Sequence, residues 1–147
     1  MAYKYTYDSE PAYKKPRLNE NRSVWKFLLL NLVTLGLYMV ICFIPFSYDL
    51  DLIAPKRDHS KTTNFLFVYL ISYLTLGIVL LIWFHEISAR VEDALRENNI
   101  QDSFSTSTFW CWCFTGAFIP FLNLVFYHKL FRAMNLLCAD YNRKPAV

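Results

Sequence analysis

Three stretches of this 147-residue chain, 27–46, 65–84 and 109–127, contain no Asp, Glu, Lys, Arg or His, although charged residues make up 18% of the sequence. A surface helix of a globular domain keeps a polar face, so that absence excludes ordinary amphipathic helices there. At about 1.5 Å per residue, about 20 apolar residues cross a hydrocarbon core of about 30 Å, and each stretch has roughly that length. With 55% hydrophobic and 18% aromatic residues, too little amphipathic sequence remains to cover three buried helices. The expected fold is an all-α integral membrane protein, multi-pass in the cell membrane, with three tandem apolar helical segments.

Other absences narrow the function. There is no Gly-rich phosphate loop, no His-Glu-x-x-His and no Ser or Cys nucleophile beside an evident base, so no enzyme, catalytic residue, cofactor or metal is expected. The four cysteines, Cys42, Cys111, Cys113 and Cys138, lack the spacing of a disulfide framework. Cys111-Trp112-Cys113 offers two ligands at most, and a thiolate is costly in lipid, so the pair reads as small apolar side chains. The net charge is +3, with cations on every flank rather than in one patch. That points away from nucleic acid and towards a lipid surface, where Lys and Arg beside apolar segments reach the headgroups.

Residues 1–22 are polar, Tyr-rich and without apolar periodicity, which predicts a mobile tail. The first apolar stretch is too long and too late for a signal peptide and reads as an anchor. One membrane domain, 23–142, is expected, in three units of about 23–60, 61–102 and 103–142, with 143–147 as a C-terminal tail. Capping residues precede each stretch: Ser23, then Thr62-Thr63-Asn64, then residues 103–108. Pro55 ends the first unit. The second and third stretches continue into amphipathic helices through Phe84, Ile87, Val91, Leu95 and through Leu130, Met134, Leu137, Tyr141. Such helices lie on a bilayer surface, pack on one another, or extend with a solvated face; the last is the expectation here. Glu86, Arg90, Asp93, Arg96 and Glu97 then form a surface charge ladder.

The units repeat. Thr34-Leu35-Gly36-Leu37 and Thr75-Leu76-Gly77-Ile78 lie 41 residues apart, and the same offset pairs Asn31 with Ser72, Phe43 with Phe84 and Ser47 with Ser88. A weaker third copy pairs Phe84-His85-Glu86-Ile87 with Tyr127-His128-Lys129-Leu130 at an offset of 43, placing Pro120 where Gly77 stood. Thr34-Leu35-Gly36-Leu37-Tyr38, Thr75-Leu76-Gly77-Ile78 with Trp83-Phe84, and the ending from His128 to Asn142 resemble a bacterial membrane family known as domain of unknown function 4234. The resemblance covers residues 22 to about 142 and implies a membrane location and a repeat, and no activity. Val79 stands where that family's motif has an aromatic ring.

The candidate helix-breaking and packing residues are Thr34, Gly36, Thr75, Gly77, Gly116 and Pro120. Glycine in mid-stretch either lets a neighbouring helix approach or turns the chain back in a re-entrant hairpin with arms of about 15 Å. Cations do not decide between them. Lys4, Lys14, Lys15, Arg17, Arg22, Arg90 and Arg96 on one side of a three-span arrangement nearly tie with Lys56, Arg57, Lys61, Lys129, Arg132, Arg143 and Lys144 on the other, Lys26 adding one to the first side. Three spans are the expectation, because short hairpins leave turns in hydrocarbon. The intramembrane polar candidates, Asn31, Ser72, Thr115 and Asn123, read as hydrogen-bonding glue between helices. His85 and His128, with His59 in the first connection, read as interfacial side chains beside aromatic rings rather than a metal set. The expected role is a non-enzymatic interaction or scaffold module of the cell membrane whose partners are the lipid bilayer and a second copy or another membrane protein. A small oligomeric channel or transporter is the alternative, and an interfacial enzyme a weaker one.

Overall fold

The computed structural model describes residues 15–54 and 61–145, without the side chains of residues 114, 117, 120 and 121. Among them are six α-helices and no strand: α1 (Val24–Val33), α2 (Tyr38–Ile53), α3 (Phe65–Leu74), α4 (Ile78–Glu97), the short α5 (Thr106–Thr108) and α6 (Pro120–Arg143). A π-helix, Phe109–Phe114, and a 3-10 turn, Thr115–Ala117, lie between α5 and α6.

No helix of the described residues is long and apolar enough to cross a membrane, which corrects the expectation of an integral membrane protein with three spanning segments. The cause is local. Each apolar stretch is cut in its middle, so α1 and α3 have 10 residues each, about 15 Å of helix. The cuts fall at the two Thr-Leu-Gly sequences. After Thr34 the chain takes positive φ at Leu35 (51°) and Gly36 (94°), and after Thr75 at Leu76 (50°) and Gly77 (87°). Two consecutive left-handed residues reverse the chain, with Gly36 N–H donating to Asn31 O at 2.9 Å and Gly77 N–H to Ser72 O at 2.8 Å, a Schellman closure. The chain therefore forms hairpins, each with a short first arm and a second arm that runs on into a tail.

The amphipathic tails do not stand alone in solvent. The lower halves of α2, α4 and α6 pack on one another through Leu50, Ile87, Val91, Ala94, Leu130, Met134 and Leu137, all buried. Above them is an aromatic layer. Phe43, Phe84 and Tyr127, equivalent in the three units, form a triangle with ring centroids 5.2, 5.9 and 6.2 Å apart. Each first arm leans on the preceding unit: Phe65 on Phe43 at 5.2 Å, Phe109 on His85 at 5.5 Å, and Phe27 on Tyr127 at 5.1 Å. The contacts run from unit one to two, two to three, and three back to one.

Polar bonds follow the same cycle. Asp51, Glu92 and Asn135 are separated by the repeat offsets of 41 and 43, and each holds the segment that leads into the next hairpin. Thr62 N–H donates to Asp51 at 3.0 Å, and Thr106 donates to Glu92 from its N–H at 2.7 Å and its hydroxyl at 2.6 Å. Asn135 closes the ring by clasping Arg22, accepting from its N–H and donating to its carbonyl, both at 3.0 Å. One turn-pair further along α6, Asn142 clasps Leu18 in the same way, at 2.9 Å in each direction. Residues 15–23 thus run extended along α6; residues 1–14, the bulk of the expected mobile tail, lie outside the described residues.

Two predictions follow from this closure. Asn135→Ala leaves two backbone groups of Arg22 without partners and should cost about 1–3 kcal/mol in chemical denaturation, against about 3–5 kcal/mol for Phe84→Ala in the aromatic triangle. The Thr106 hydroxyl and N–H hold the Glu92 carboxyl below its ordinary range, against a smaller opposing effect of burial. A lowered folded pKa means stability that is complete above the unfolded carboxyl value and lost as pH falls through the folded one. Glu92→Gln should therefore flatten the acid limb of the stability profile below about pH 4.5; an unchanged acid limb would count against the Glu92–Thr106 link.

Candidate functional site

The hairpin ends combine apolar exposure with hydrogen bonds that close the turns internally. Thr34 Oγ1 donates to Leu30 O at 2.7 Å and accepts from Tyr38 N–H at 2.9 Å. Thr75 Oγ1 donates to Ile71 O at 3.1 Å and accepts from Val79 N–H at 3.5 Å. One hydroxyl therefore serves one of the last carbonyls of the first arm and one of the first amides of the second, among the groups a helix end leaves without partners. Asn31 Oδ1 accepts from Met39 N–H at 3.0 Å, while Ser72 bonds within its own helix, to Tyr69 O at 2.6 Å. These polar candidates stitch turns rather than join spanning helices.

The glycines act through φ. A Cβ on Gly77 would meet nothing within 4 Å, and one on Gly36 would meet only the Tyr69 hydroxyl at an ordinary 3.7 Å, so neither permits close helix approach. Leu35 and Leu76 are more unusual. A leucine in the left-handed region costs roughly 1–2 kcal/mol relative to its ordinary conformations, and here it is 92% exposed at position 35 and 94% at 76. Among the described residues, nothing packs against those side chains strongly enough to account for them. Around the two leucines are the exposed Leu32, Val33, Leu37, Leu74 and Ile78.

The third turn is built differently. Phe109–Phe114 winds as a π-helix and Thr115–Ala117 as a 3-10 turn before Pro120 opens α6, where its missing N–H needs no partner. Thr115 Oγ1 bonds Cys111 O, and Asn123 Nδ2 donates to Gly116 O at 3.1 Å. A Cβ on Gly116 would lie 2.4 Å from Asn123 Oδ1, so here the close approach is real. Phe118, 78% exposed, and Ile119 stand at this end.

Charge begins immediately beyond the aromatic layer. Arg22 pairs with Asp49, Arg90 with Asp51 at 2.9 Å, and Arg132 lies 3.9 Å from Asp102. Arg90, read from the sequence as part of a surface ladder, instead joins the tail of unit one to that of unit two. His85 is wedged between the rings of Phe109 and Trp110, each 5.5 Å away, with a buried Nδ1. His128 is exposed and lines an open groove of about 500 Å³ with Trp25, Arg132 and Asn135. The two histidines occupy equivalent positions in different surroundings, and no cluster of three metal-binding side chains is present among the described residues. His59 lies outside them. Cys113 and Cys138 are buried and Cys111 is exposed, all as free thiols; burial pushes the Cys138 thiol up, partly offset by Arg22, whose Nη1 is 3.3 Å from Sγ.

The linking residues Asp51, Glu92 and Asn135 were accessible to sequence reasoning only by extending the repeat alignment into the tails, where three different polar side chains share one position. The left-handed leucines had no signal of their own, since leucine favours helix and only the glycine after it marks a turn. No curated protein and no solved structure matches this chain. The family model described as Domain of unknown function (DUF4234) matches residues 22–93, the first two hairpins and most of the second tail, and that part of the chain belongs to the family.

Proposed function

We propose that this protein is a non-enzymatic interaction module that seats its three hairpin ends in one leaflet of the cell membrane and holds its bundled tails outside that leaflet for a protein partner. The observation that carries this reading is the pair of exposed, left-handed leucines at the hairpin ends. Strain of this kind persists where function uses it, and lipid is the surroundings in which an exposed leucine is stabilised. Three further features support it. The arms are about 15 Å long, half of a hydrocarbon core of about 30 Å, so they enter a leaflet without crossing. Many of the turn amides and carbonyls, among them those of Gly36 and Gly77, are bonded within the protein, which lowers the cost of placing them in lipid. Charged side chains start only beyond the aromatic layer, where Trp and Tyr favour the interface. Arms of half the bilayer depth line no path through it, which weighs against the channel reading.

A glycine at either leucine position separates the two roles of that residue. Leu35→Gly and Leu76→Gly remove the unfavourable left-handed leucine, so folding stability should hold or rise by up to about 1 kcal/mol. Each also deletes a leucine side chain worth about 1.5–3 kcal/mol of burial, so binding to phospholipid vesicles should weaken at least about tenfold. Vesicle flotation beside chemical denaturation reads both. Equal binding by wild type and the double variant would sink the leaflet reading.

A further inference from the structure

Lysines surround the base of the hairpins. Lys26 is adjacent to the buried Phe27, Lys61 lies four residues before the buried Phe65, and Lys129 two residues beyond Tyr127, so all three stand at the tail-side edge of the aromatic layer. None makes an ion pair among the described residues, whereas the neighbouring arginines are already engaged: Arg22 by Asp49, Arg90 by Asp51, Arg132 beside Asp102. Glu86 is the carboxylate at this level that opposes them.

The other end of the tails carries charges of both signs, with Asp140 paired to Lys144 at 2.6 Å. Asp93 and Glu97 lie about 13 and 20 Å along the helix from Phe84, and Asp140 about 20 Å from Tyr127. Glu20 is held there too, by Asn142 at 2.6 Å. Those distances exceed a Debye length of about 8 Å at physiological ionic strength, so the distant carboxylates do not cancel the collar.

We infer that Lys26, Lys61 and Lys129 form a collar that recognises the anionic phospholipid headgroups of the leaflet entered by the hairpins. The inference rests on the leaflet reading and names the lipid class. Long, flexible lysine stems suit it, since they follow mobile phosphates without fixed geometry. The same collar gives the insertion a direction. Both arms of a hairpin return to one side, so the cations lie together and the positive-inside rule places them in the cytoplasm, at an anionic leaflet.

The test uses the full chain with vesicles of zwitterionic phospholipid alone and of the same lipid mixed with an anionic phospholipid. A lysine at a charged surface contributes about fivefold in affinity, so three should give roughly a hundredfold preference for the anionic vesicles, falling as salt is raised. The triple variant K26Q/K61Q/K129Q should lose that preference while binding zwitterionic vesicles as wild type does, and K26R/K61R/K129R should retain it. Equal binding of wild type to both vesicle types, or an undiminished preference in the glutamine variant, overturns the collar and leaves the leaflet reading standing. Failure to bind either vesicle overturns both.

Discussion

The reversal of the chain at Thr-Leu-Gly, two left-handed residues closed by a threonine hydroxyl and a Schellman bond, is the constraint on which everything else rests. It converts apolar runs long enough to span a bilayer into pairs of half-length arms. It also returns each second arm to the side the first came from, which lets all three tails meet as one bundle. Had the glycines merely kinked continuous helices, successive tails would point in opposite directions. Neither the aromatic triangle nor the tail bundle would then exist.

Once the hairpins are formed, their assembly is a ring. The polar links Asp51–Thr62, Glu92–Thr106 and Asn135–Arg22 differ in chemistry but hold the same relation between neighbouring units. The buried rings of Phe43 and Phe84 and the partly buried ring of Tyr127 provide the apolar counterpart along the axis, with edge and tilted contacts that aromatic quadrupoles favour. The third unit departs most from the repeat: a π-helix and a 3-10 turn replace the first-arm helix and the Leu-Gly reversal. It nevertheless supplies the partner that the first unit needs, through Asn135 and Asn142. The family match ends at residue 93, yet the closed ring continues to Arg143.

The apolar stretches, the repeat, the family and the amphipathic continuations were legible in the sequence because composition and spacing carry them directly. Phe43 and Phe84 aligned across copies, and the structure brings those two rings together. What did not follow was the choice between a span and a hairpin. Length and hydropathy are the same for both; the difference lies in φ at Leu35 and Leu76, which leucine does not advertise. The spread of cations over every flank was itself a clue, because hairpins place all of them on one side. The Arg90–Asp51 pair was hidden for a different reason: a charge ladder on one helix is a local pattern, and its partner lies 39 residues away.

Topology is the most direct point of attack. Asn21, Lys61, Gln101 and Arg143 are all exposed and lie respectively before the first hairpin, between the first and second, between the second and third, and after the third. Each can be replaced singly by cysteine in a chain whose native cysteines are alanine, then treated with a membrane-impermeant thiol reagent on sealed, oriented vesicles. Labelling of all four positions from the same side is the expected result. Labelling that alternates, with Asn21 and Gln101 on one side and Lys61 and Arg143 on the other, would contradict hairpins that enter and leave a single leaflet.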